Sequence, residues 1–144
     1  MSALDDQVAG NHYLNFEIQP VEFIEKNRIG FLPGCIIKRI CRYKLKGTRE
    51  EALKDIRKIQ HECDLIKEVG KKPFHWLFNH EFEIKSTEFI TENNLDAFES
   101  LIIHVICNYV RRGDKESLDT IKEVCESIII TKDLEAEDGD RNNT

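Results

Sequence analysis

The chain contains no long apolar segment and no signal for secretion. None of its apolar runs approaches the ~20 residues that a membrane-spanning helix requires, so a spanning segment is excluded and no membrane partner is expected. The first ten residues, MSALDDQVAG, lack the basic and apolar regions of a secretory signal. We therefore expect the protein to be cytoplasmic.

The cysteines do not form a pattern typical of disulfides or zinc sites. They are five in number, which is odd, and no CxxC pair occurs. Reduced and mostly buried thiols explain this usage better than a disulfide framework. His61 and Cys63, and likewise His75 and His80, lack the spacing of four zinc ligands. No metal site is predicted.

The chain also lacks the positive net charge of a general nucleic-acid-binding protein. Its formal charge is −6, so a polyanion would be repelled over most of the surface. The charge is unevenly placed, because six basic residues and no acid occur between Lys38 and Arg49, whereas the segment from Asp133 to Asp140 is strongly acidic. A local basic site on an acidic protein favours a small anionic ligand over broad nucleic-acid binding.

The two halves of the chain resemble each other. A shift of 66 residues aligns residues 16–51 with residues 82–117 and gives fourteen identities in thirty-six positions, without a gap. The shared motifs include FEI, EFI, the IC-x-Y spacing and a glycine. Asn11-His12 also pairs with Asn79-His80 if two residues are removed from the first copy. Two unrelated amphipathic hairpins would share apolar positions but not these motifs together, so we infer a tandem duplication.

Each copy is predicted to form three helices, which makes the chain all-α. Pro20 suits the first turn of a short helix that ends near Asn27. A second helix is expected from about Gly34 to Leu45, with Gly47 as its left-handed C-cap. Its apolar face comprises Ile36, Ile40 and Tyr43, at i, i+4, i+7 spacing.

The third helix of each copy is predicted from its cap and its apolar stripe. Thr48 and Glu51 have the spacing of a capping box, and Asp114 takes the cap position in the second copy. The stripes alternate steps of four and three residues: Ala52, Ile56, Ile59, Cys63 and Ile66 in the first copy, and Leu118, Ile121, Cys125 and Ile128 in the second. Stripes of this length on neighbouring helices favour a helical bundle.

We therefore predict two duplicated three-helix units in a pseudo-twofold arrangement. Residues 1–70 form the first unit, residues 71–132 a degenerate second copy packed on it, and residues 133–144 a disordered acidic tail. Lys71-Lys72-Pro73 is the expected hinge. The aromatic segment that follows is expected to join the halves through Phe74, Trp76 and Phe78. Apolar surface left over favours a homo-oligomer.

The two copies differ in the charges of their second helix. The matched pairs are Lys38 and His104, Arg39 and Val105, Arg42 and Asn108, and Lys46 and Arg112. In the first copy the four cations can share one side of a helix. Like charges this close are mildly destabilising unless an anion compensates, and arginine forks with lysine point charges suit phosphate. We interpret the group as a phosphate clamp; the structural alternative is a solvated basic face, or ion pairs with Glu50, Glu51, Asp55 and Glu62.

Several motifs of the first copy carry a family resemblance. They are NHY near the start, QPVEFIE, F-x-x-G-x-x-I-K-R-x-x-R-Y-x-x-K-G and D-I-x-K. The chain resembles the SaV-like family of small phage proteins, which includes a podovirus deoxynucleotide kinase, over about residues 11–66. The matching positions are His12, Tyr13, Pro20, Glu22, Phe31, Gly34, Lys38, Arg42, Lys46, Gly47, Asp55 and Lys58. Cys35 and Arg39 depart from the family pattern, which has Asn and Tyr there.

The resemblance implies nucleotide binding, and a phage-encoded protein would act in the host cytoplasm. The implied roles are phosphate neutralisation by Lys38, Arg42 and Lys46, proton acceptance or acceptor orientation by His12 or Asp55, and base stacking by Tyr13 or Tyr43. The structural alternatives are a surface carboxylate paired with Lys54 or Lys58 for Asp55, and a hydrogen-bonding role for His12. No G-x-x-x-x-G-K-[ST] loop is present, so a kinase of this kind would not be a P-loop enzyme. Mg²⁺ would enter with a nucleoside triphosphate, and no other cofactor is implied.

Three functional hypotheses follow. The first is a deoxynucleoside monophosphate kinase, and the second is a non-catalytic protein that sequesters a host nucleotide or a nucleotide-derived signal. The third is an interaction module whose basic face meets an acidic partner. The first two take a nucleotide or another small phosphorylated ligand.

Overall fold

A computed structural model describes residues 2–8, 10, 12–73, 75 and 81–143. Within these ranges six α-helices occur and no strand, so the predicted all-α class is confirmed. The helices are α1 (Pro20–Lys26), α2 (Phe31–Arg42), α3 (Arg49–Val69), α4 (Ser86–Glu92), α5 (Ala97–Arg112) and α6 (Ser117–Asn142). Short 3-10 helices occupy Ala3–Asp5 and Tyr43–Leu45.

The four long helices form a ring around one core. Helix α2 packs on α3 and α5, and α6 packs on α3 and α5. The short helix α1 packs on α2, and α4 packs on α5. The predicted apolar stripes of α3 and α6 are buried without exception, because helical periodicity brings each stripe to the inside of the ring.

Matching residues of the two halves exchange the same contacts. The Asn27 amide donates to the Ile84 carbonyl and accepts from the Ile84 N–H, both at 2.8 Å. Sixty-six residues on, Asn93 makes the same two bonds with Ile18, at 2.8 and 3.0 Å. The rings of Phe23 and Phe89, also 66 residues apart, stack with their centroids 4.2 Å apart. This reciprocity is what pseudo-twofold packing produces, and it supports the duplication inferred from the sequence.

The turns after α1 and α4 also match. Arg28 and Asn94, again 66 residues apart, both lie in the left-handed region, with φ of 53° and 51°. Left-handed backbone is uncommon for a residue other than glycine, and Asn tolerates it better than Arg. In both copies the next residue closes the turn, since Ile29 N–H donates to Ile24 and Leu95 N–H donates to Ile90.

Two predicted boundaries of the second helix are wrong. Helix α2 begins at Phe31 rather than near Gly34, because Pro33 lies in the first turn, where no intrahelical N–H donor is needed. The helix ends at Arg42 and passes into a 3-10 turn, so Gly47 is not its C-cap and has no positive φ. The left-handed glycine cap occurs instead in the second half, where Gly113 ends α5 with a φ of 71°.

Gly34 has a packing role inside α2. A Cβ atom at this position would lie 3.1 Å from the Ile24 side chain, which is tighter than ordinary contact. Helix α1 therefore approaches α2 closely at Gly34. Ser100 stands at the matching position of α5, and its hydroxyl donates to the Leu95 carbonyl.

The start of α3 and the junction between the halves agree in part with the predictions. Thr48 caps α3 by accepting from the Glu51 N–H at 3.1 Å, whereas Asp114 accepts from the Glu116 N–H ahead of α6. Phe82 meets Phe23 edge to face at a centroid distance of 6.2 Å and so joins the halves. The predicted contributions of Phe74, Trp76 and Phe78, and the pairing that involves Asn11, Asn79 and His80, lie outside the described residues.

The C-terminal segment differs from the prediction of a disordered tail. Helix α6 continues through residues 133–142, and Arg141 pairs there with Glu137 and Asp138 at 3.7 Å. Arg49 forms an ion pair with Asp133, which ties the beginning of this segment to the first turn of α3. Among the described helices, none combines the length and the apolar character that a bilayer crossing requires.

Candidate functional site

The predicted cations converge on a buried carboxylate of the neighbouring helix. Asp55, on α3, is only 3% exposed. Arg42 donates to it twice, from Nε at 3.1 Å and from Nη2 at 3.2 Å. Arg39 adds a bond from Nη1 at 3.3 Å, and the Lys46 Nζ lies 3.9 Å from Asp55 Oδ2. Three cations of the first copy therefore surround one carboxylate.

A second buried carboxylate extends this cluster along α3. Glu62 lies seven residues after Asp55, hence on the same face, and accepts from Arg39 Nε at 2.7 Å. Its other oxygen, Oε2, is buried and has no hydrogen-bond partner within the described part of the chain. Arg39 thus bridges Asp55 and Glu62. We call Arg39, Arg42, Lys46, Asp55 and Glu62 the cation cluster.

Tyr13 closes one side of the cation cluster. Its hydroxyl is buried beside Arg42. Among the described residues, no hydrogen bond of good geometry reaches this hydroxyl. Burial raises the pKa of Tyr13, and the neighbouring Arg42 charge opposes that rise. Burial opposes the charge of Arg42, but the hydrogen bonds and charge of Asp55 outweigh it and raise the pKa of Arg42. The cluster therefore keeps a cation next to a neutral phenol.

Lys38 stands at the exposed edge of this arrangement. It lies on α2 one residue before Arg39 and is exposed, with no ion pair among the described residues. Cys35, one turn earlier, is half-buried near Arg39, Lys38 and Glu62. Burial raises the pKa of the Cys35 thiol, which keeps it protonated. Lys38 is thus the cation that solvent reaches most freely.

Two predicted residues lie elsewhere. Tyr43 is 3% exposed and lies in the core, and the Lys132 Nζ is 5.6 Å from its ring centroid. A ring buried in this way has no face open to a base, so Tyr43 is not part of the candidate site. His12 lines a separate cavity of about 240 Å³ between the halves, together with Cys41, Lys44 and Glu99. Lys44 pairs there with Asp96 and, at 3.1 Å, with Glu99, whose pKa burial raises.

The structure places Asp55 and the cations in internal ion pairs, which is one of the alternatives that the sequence left open. Asp55 is not a surface carboxylate paired with Lys54 or Lys58, because it is buried against Arg39 and Arg42. Of the four acids proposed as internal partners, Asp55 and Glu62 make these pairs. Since three cations surround two carboxylates, the cluster keeps a net positive charge, to which Lys38 adds.

The second half lacks both signs of charge at the positions that match the arginines and the carboxylates. Val105 and Asn108 replace the two arginines. If one residue of the first half is left out so that Leu53 aligns with Leu118, Thr120 and Ser127 stand at the positions of Asp55 and Glu62, and both are exposed. Arginines and carboxylates thus occur together in the first half and are absent together from the matching positions of the second. The sequence already named Asp55 and Glu62 among four possible partners of the cations. Their joint absence from the second half, combined with their position next to the apolar stripe of α3, is the signal that favours these two.

A family model described as a protein of unknown function (DUF3310) matches residues 8–64. No curated protein and no solved structure matches the chain. The matched segment contains every residue of the cation cluster, together with Tyr13 and Lys38.

Proposed function

We propose that the protein binds a nucleotide through its phosphate groups at the cation cluster and Lys38. The observation that carries the proposal is the excess of positive charge, three cations around two buried carboxylates, on a chain whose net charge is −6. Each arginine uses two of its five N–H donors on the carboxylates, which leaves donors for a phosphate oxygen. The carboxylates hold the guanidinium planes in place before a ligand arrives.

The proposed reaction is phosphoryl transfer from a nucleoside triphosphate to a deoxynucleoside monophosphate. Such a transfer needs positioning and charge neutralisation more than covalent help from the protein. Arg42, Lys46 and Lys38 supply the charge. Asp55 is assigned a positioning role, since both of its oxygens already accept from arginines. His12 is the residue proposed to orient the acceptor or accept its proton. Because Asp55 is engaged in this way, we assign no Mg²⁺ ligand in the cluster, and any Mg²⁺ would arrive with the triphosphate.

A non-catalytic nucleotide-binding protein is the second candidate. It is favoured by the full engagement of Asp55 and by the position of His12 in a different cavity. Such a protein would hold a host nucleotide or a nucleotide-derived signal and release it unchanged. The cation cluster would serve either function in the same way, so the two are separated by turnover and not by affinity.

The deciding experiment is incubation with a mixed pool of nucleoside mono-, di- and triphosphates and cyclic nucleotides, followed by chromatography and mass spectrometry. New diphosphates from a mono- and triphosphate pair would establish the kinase. One nucleotide retained and recovered intact would establish sequestration. An untouched pool would reject both nucleotide functions and leave the interaction module.

Substitution of the cations gives the first prediction. Arg42→Ala is expected to weaken nucleotide binding by about 1.5–3 kcal/mol, the scale of a hydrogen bond to a charged group. Lys38→Ala tests the same site without breaking an internal ion pair, and we expect a smaller loss of affinity with unchanged thermal unfolding. Binding is measured by isothermal titration calorimetry. Arg112→Ala, at the position that matches Lys46 in the second half, is the control and should bind normally. If Arg42→Ala and Lys38→Ala bind as the wild type does, the cluster is not the phosphate site.

His12→Ala should lose turnover but keep binding if the protein is a kinase.

A further inference from the structure

Helix α3 presents a basic stripe on the side away from the core. A shallow groove of about 660 Å³ runs along it, lined by Arg49, Glu50, Leu53, Lys54, Arg57, Lys58 and His61. Every lining residue except Leu53 is exposed. The stripe carries four cations and one carboxylate, and it is separate from the cation cluster, whose carboxylates lie on the buried side of α3. Lys54, Arg57 and Lys58 have no ion pair among the described residues.

The C-terminal part of α6 carries the opposite charge. Residues 133–142 contain five carboxylates and one cation, Arg141. Ile130 and Leu134, one turn apart on α6, are 57% and 56% exposed. The stripe and this acidic end are therefore complementary in charge, and the acidic end offers apolar contact area as well.

Beyond Asp133, which pairs with the groove-lining Arg49, the acidic end cannot lie in the groove of its own chain while it is helical. Helices α3 and α6 run antiparallel, because Lys67 pairs with Asp119, Lys122 with Asp64, and Arg49 with Asp133. Arg49 is the first residue of α3, so the acidic end points away from the groove. From residue 137 onward every described residue is exposed, and six residues of helix span about 9 Å. The occupant that fits must come from another molecule.

We propose that the protein self-associates, with the acidic end of α6 of one copy lying in the basic groove of α3 of a second copy. The proposed assembly is a dimer with a twofold axis, in which each copy supplies one groove and one acidic end, so that the two contacts close it. Nucleic acid is the competing polyanion for the groove, and the net charge of −6 disfavours it. The proposal does not depend on the nucleotide function.

Charge reversal on each side tests the interface. One variant is Lys54→Glu with Arg57→Glu, in the groove; the other is Glu135→Lys with Asp138→Lys, on the acidic end. Mass is measured by sedimentation equilibrium at about 50 mM and about 500 mM NaCl, where screening differs strongly. We expect the wild type to dimerise at low salt and to dissociate at high salt. Each variant should raise the dimer Kd at least about tenfold, because like charges then face each other.

Mixing the two variants gives the sharpest result. In a mixed dimer both contacts again join opposite charges, so an equimolar mixture is expected to recover a dimer that neither variant forms alone. Lys85→Glu with Arg112→Glu makes the same change in net charge as the groove variant, but on another surface, and should leave the dimer unchanged. A monomeric wild type at low salt, or a dimer indifferent to both variants, would overturn the proposal. So would a groove variant that loses binding to a short single-stranded RNA without any change in self-association, since the groove would then bind nucleic acid.

Discussion

At the scale of single residues, Asp55 holds the cation cluster together. It is buried, and it accepts from both arginines while the Lys46 Nζ lies 3.9 Å from its Oδ2. Removal of one partner from a buried ion pair lowers stability, because the remaining charge is then left uncompensated away from water. Asp55 therefore contributes to stability as well as to the arrangement of the proposed phosphate site.

Asp55→Asn is expected to lower the free energy of unfolding by about 3 kcal/mol, because the neutral amide leaves Arg42 without a carboxylate and Arg39 with Glu62 alone. Urea denaturation followed by circular dichroism measures this. Asp64→Asn is the matched control on the same helix: Asp64 pairs with Lys122 at 2.7 Å but its side chain is 53% exposed, so a much smaller loss is expected. Equal losses in the two variants would show that burial gives Asp55 no special role.

At the scale of elements, the short helices α1 and α4 connect the two halves through their C-terminal asparagines. Asn27 is 1% exposed and satisfies both backbone groups of Ile84. Asn93 makes the same two hydrogen bonds with the backbone of Ile18 but is half-buried. Water can therefore replace part of this hydrogen bonding when the Asn93 side chain is removed. The two positions match in sequence and in contacts, and they differ in exposure.

Asn27→Ala is therefore predicted to destabilise the protein by about 2–3 kcal/mol, since a buried N–H and a buried carbonyl both lose their partner. Asn93→Ala should cost about 1 kcal/mol. Thermal and urea unfolding of the two variants, measured side by side, check the order. Asn93→Ala as the more damaging change would contradict the assignment of the buried pair as the stronger connection.

The helices themselves were largely predictable from the sequence, and their ends less so. The stripe from Ala52 to Ile66 is apolar at helical spacing, and burial follows from that spacing alone. The second helix was predicted to begin near Gly34, because sequence does not show that Pro33 falls within the first turn of α2. Gly47 was assigned as a cap for a helix that ends five residues earlier, at Arg42. The sequence also predicted disorder where α6 continues to Asn142.

For the candidate site, the grouping of the cations on α2 was predictable from the sequence, whereas the burial of the carboxylates on α3 was not. Spacing along α2 places Arg39, Arg42 and Lys46 together, but it does not say which helix packs against them. Asp55 and Glu62 look like surface charges beside the apolar stripe of α3, and only the packing of α2 on α3 buries them. Tyr43 was proposed as a ligand contact because an aromatic ring in a basic motif suits a base, whereas the fold uses that ring in its core.

At the scale of the whole molecule, each half leaves its apolar face open unless the other half covers it. Helix α2 meets α5, and α3 meets α6, so both long helices of the first half pack on the second half. The stacked rings of Phe23 and Phe89 and the exchanged asparagine bonds lie at the same junction. The arrangement of the cation cluster on α2 and α3 therefore depends on residues of the second half, which contribute no charge to the cluster.

Separation of the halves tests this dependence. A fragment of residues 1–72 is expected to have low helix content by circular dichroism, because a chain of that length buries too little surface once α5 and α6 are removed. Addition of a fragment of residues 73–144 should restore the helical signal at a one-to-one ratio and with it the nucleotide binding proposed for the cation cluster. Asn27→Ala in the first fragment should weaken this recombination, which ties the result to the observed junction and not to non-specific association. If residues 1–72 fold as a stable monomer and bind nucleotide alone, the second half is not required to complete the core, and the two halves are independent domains.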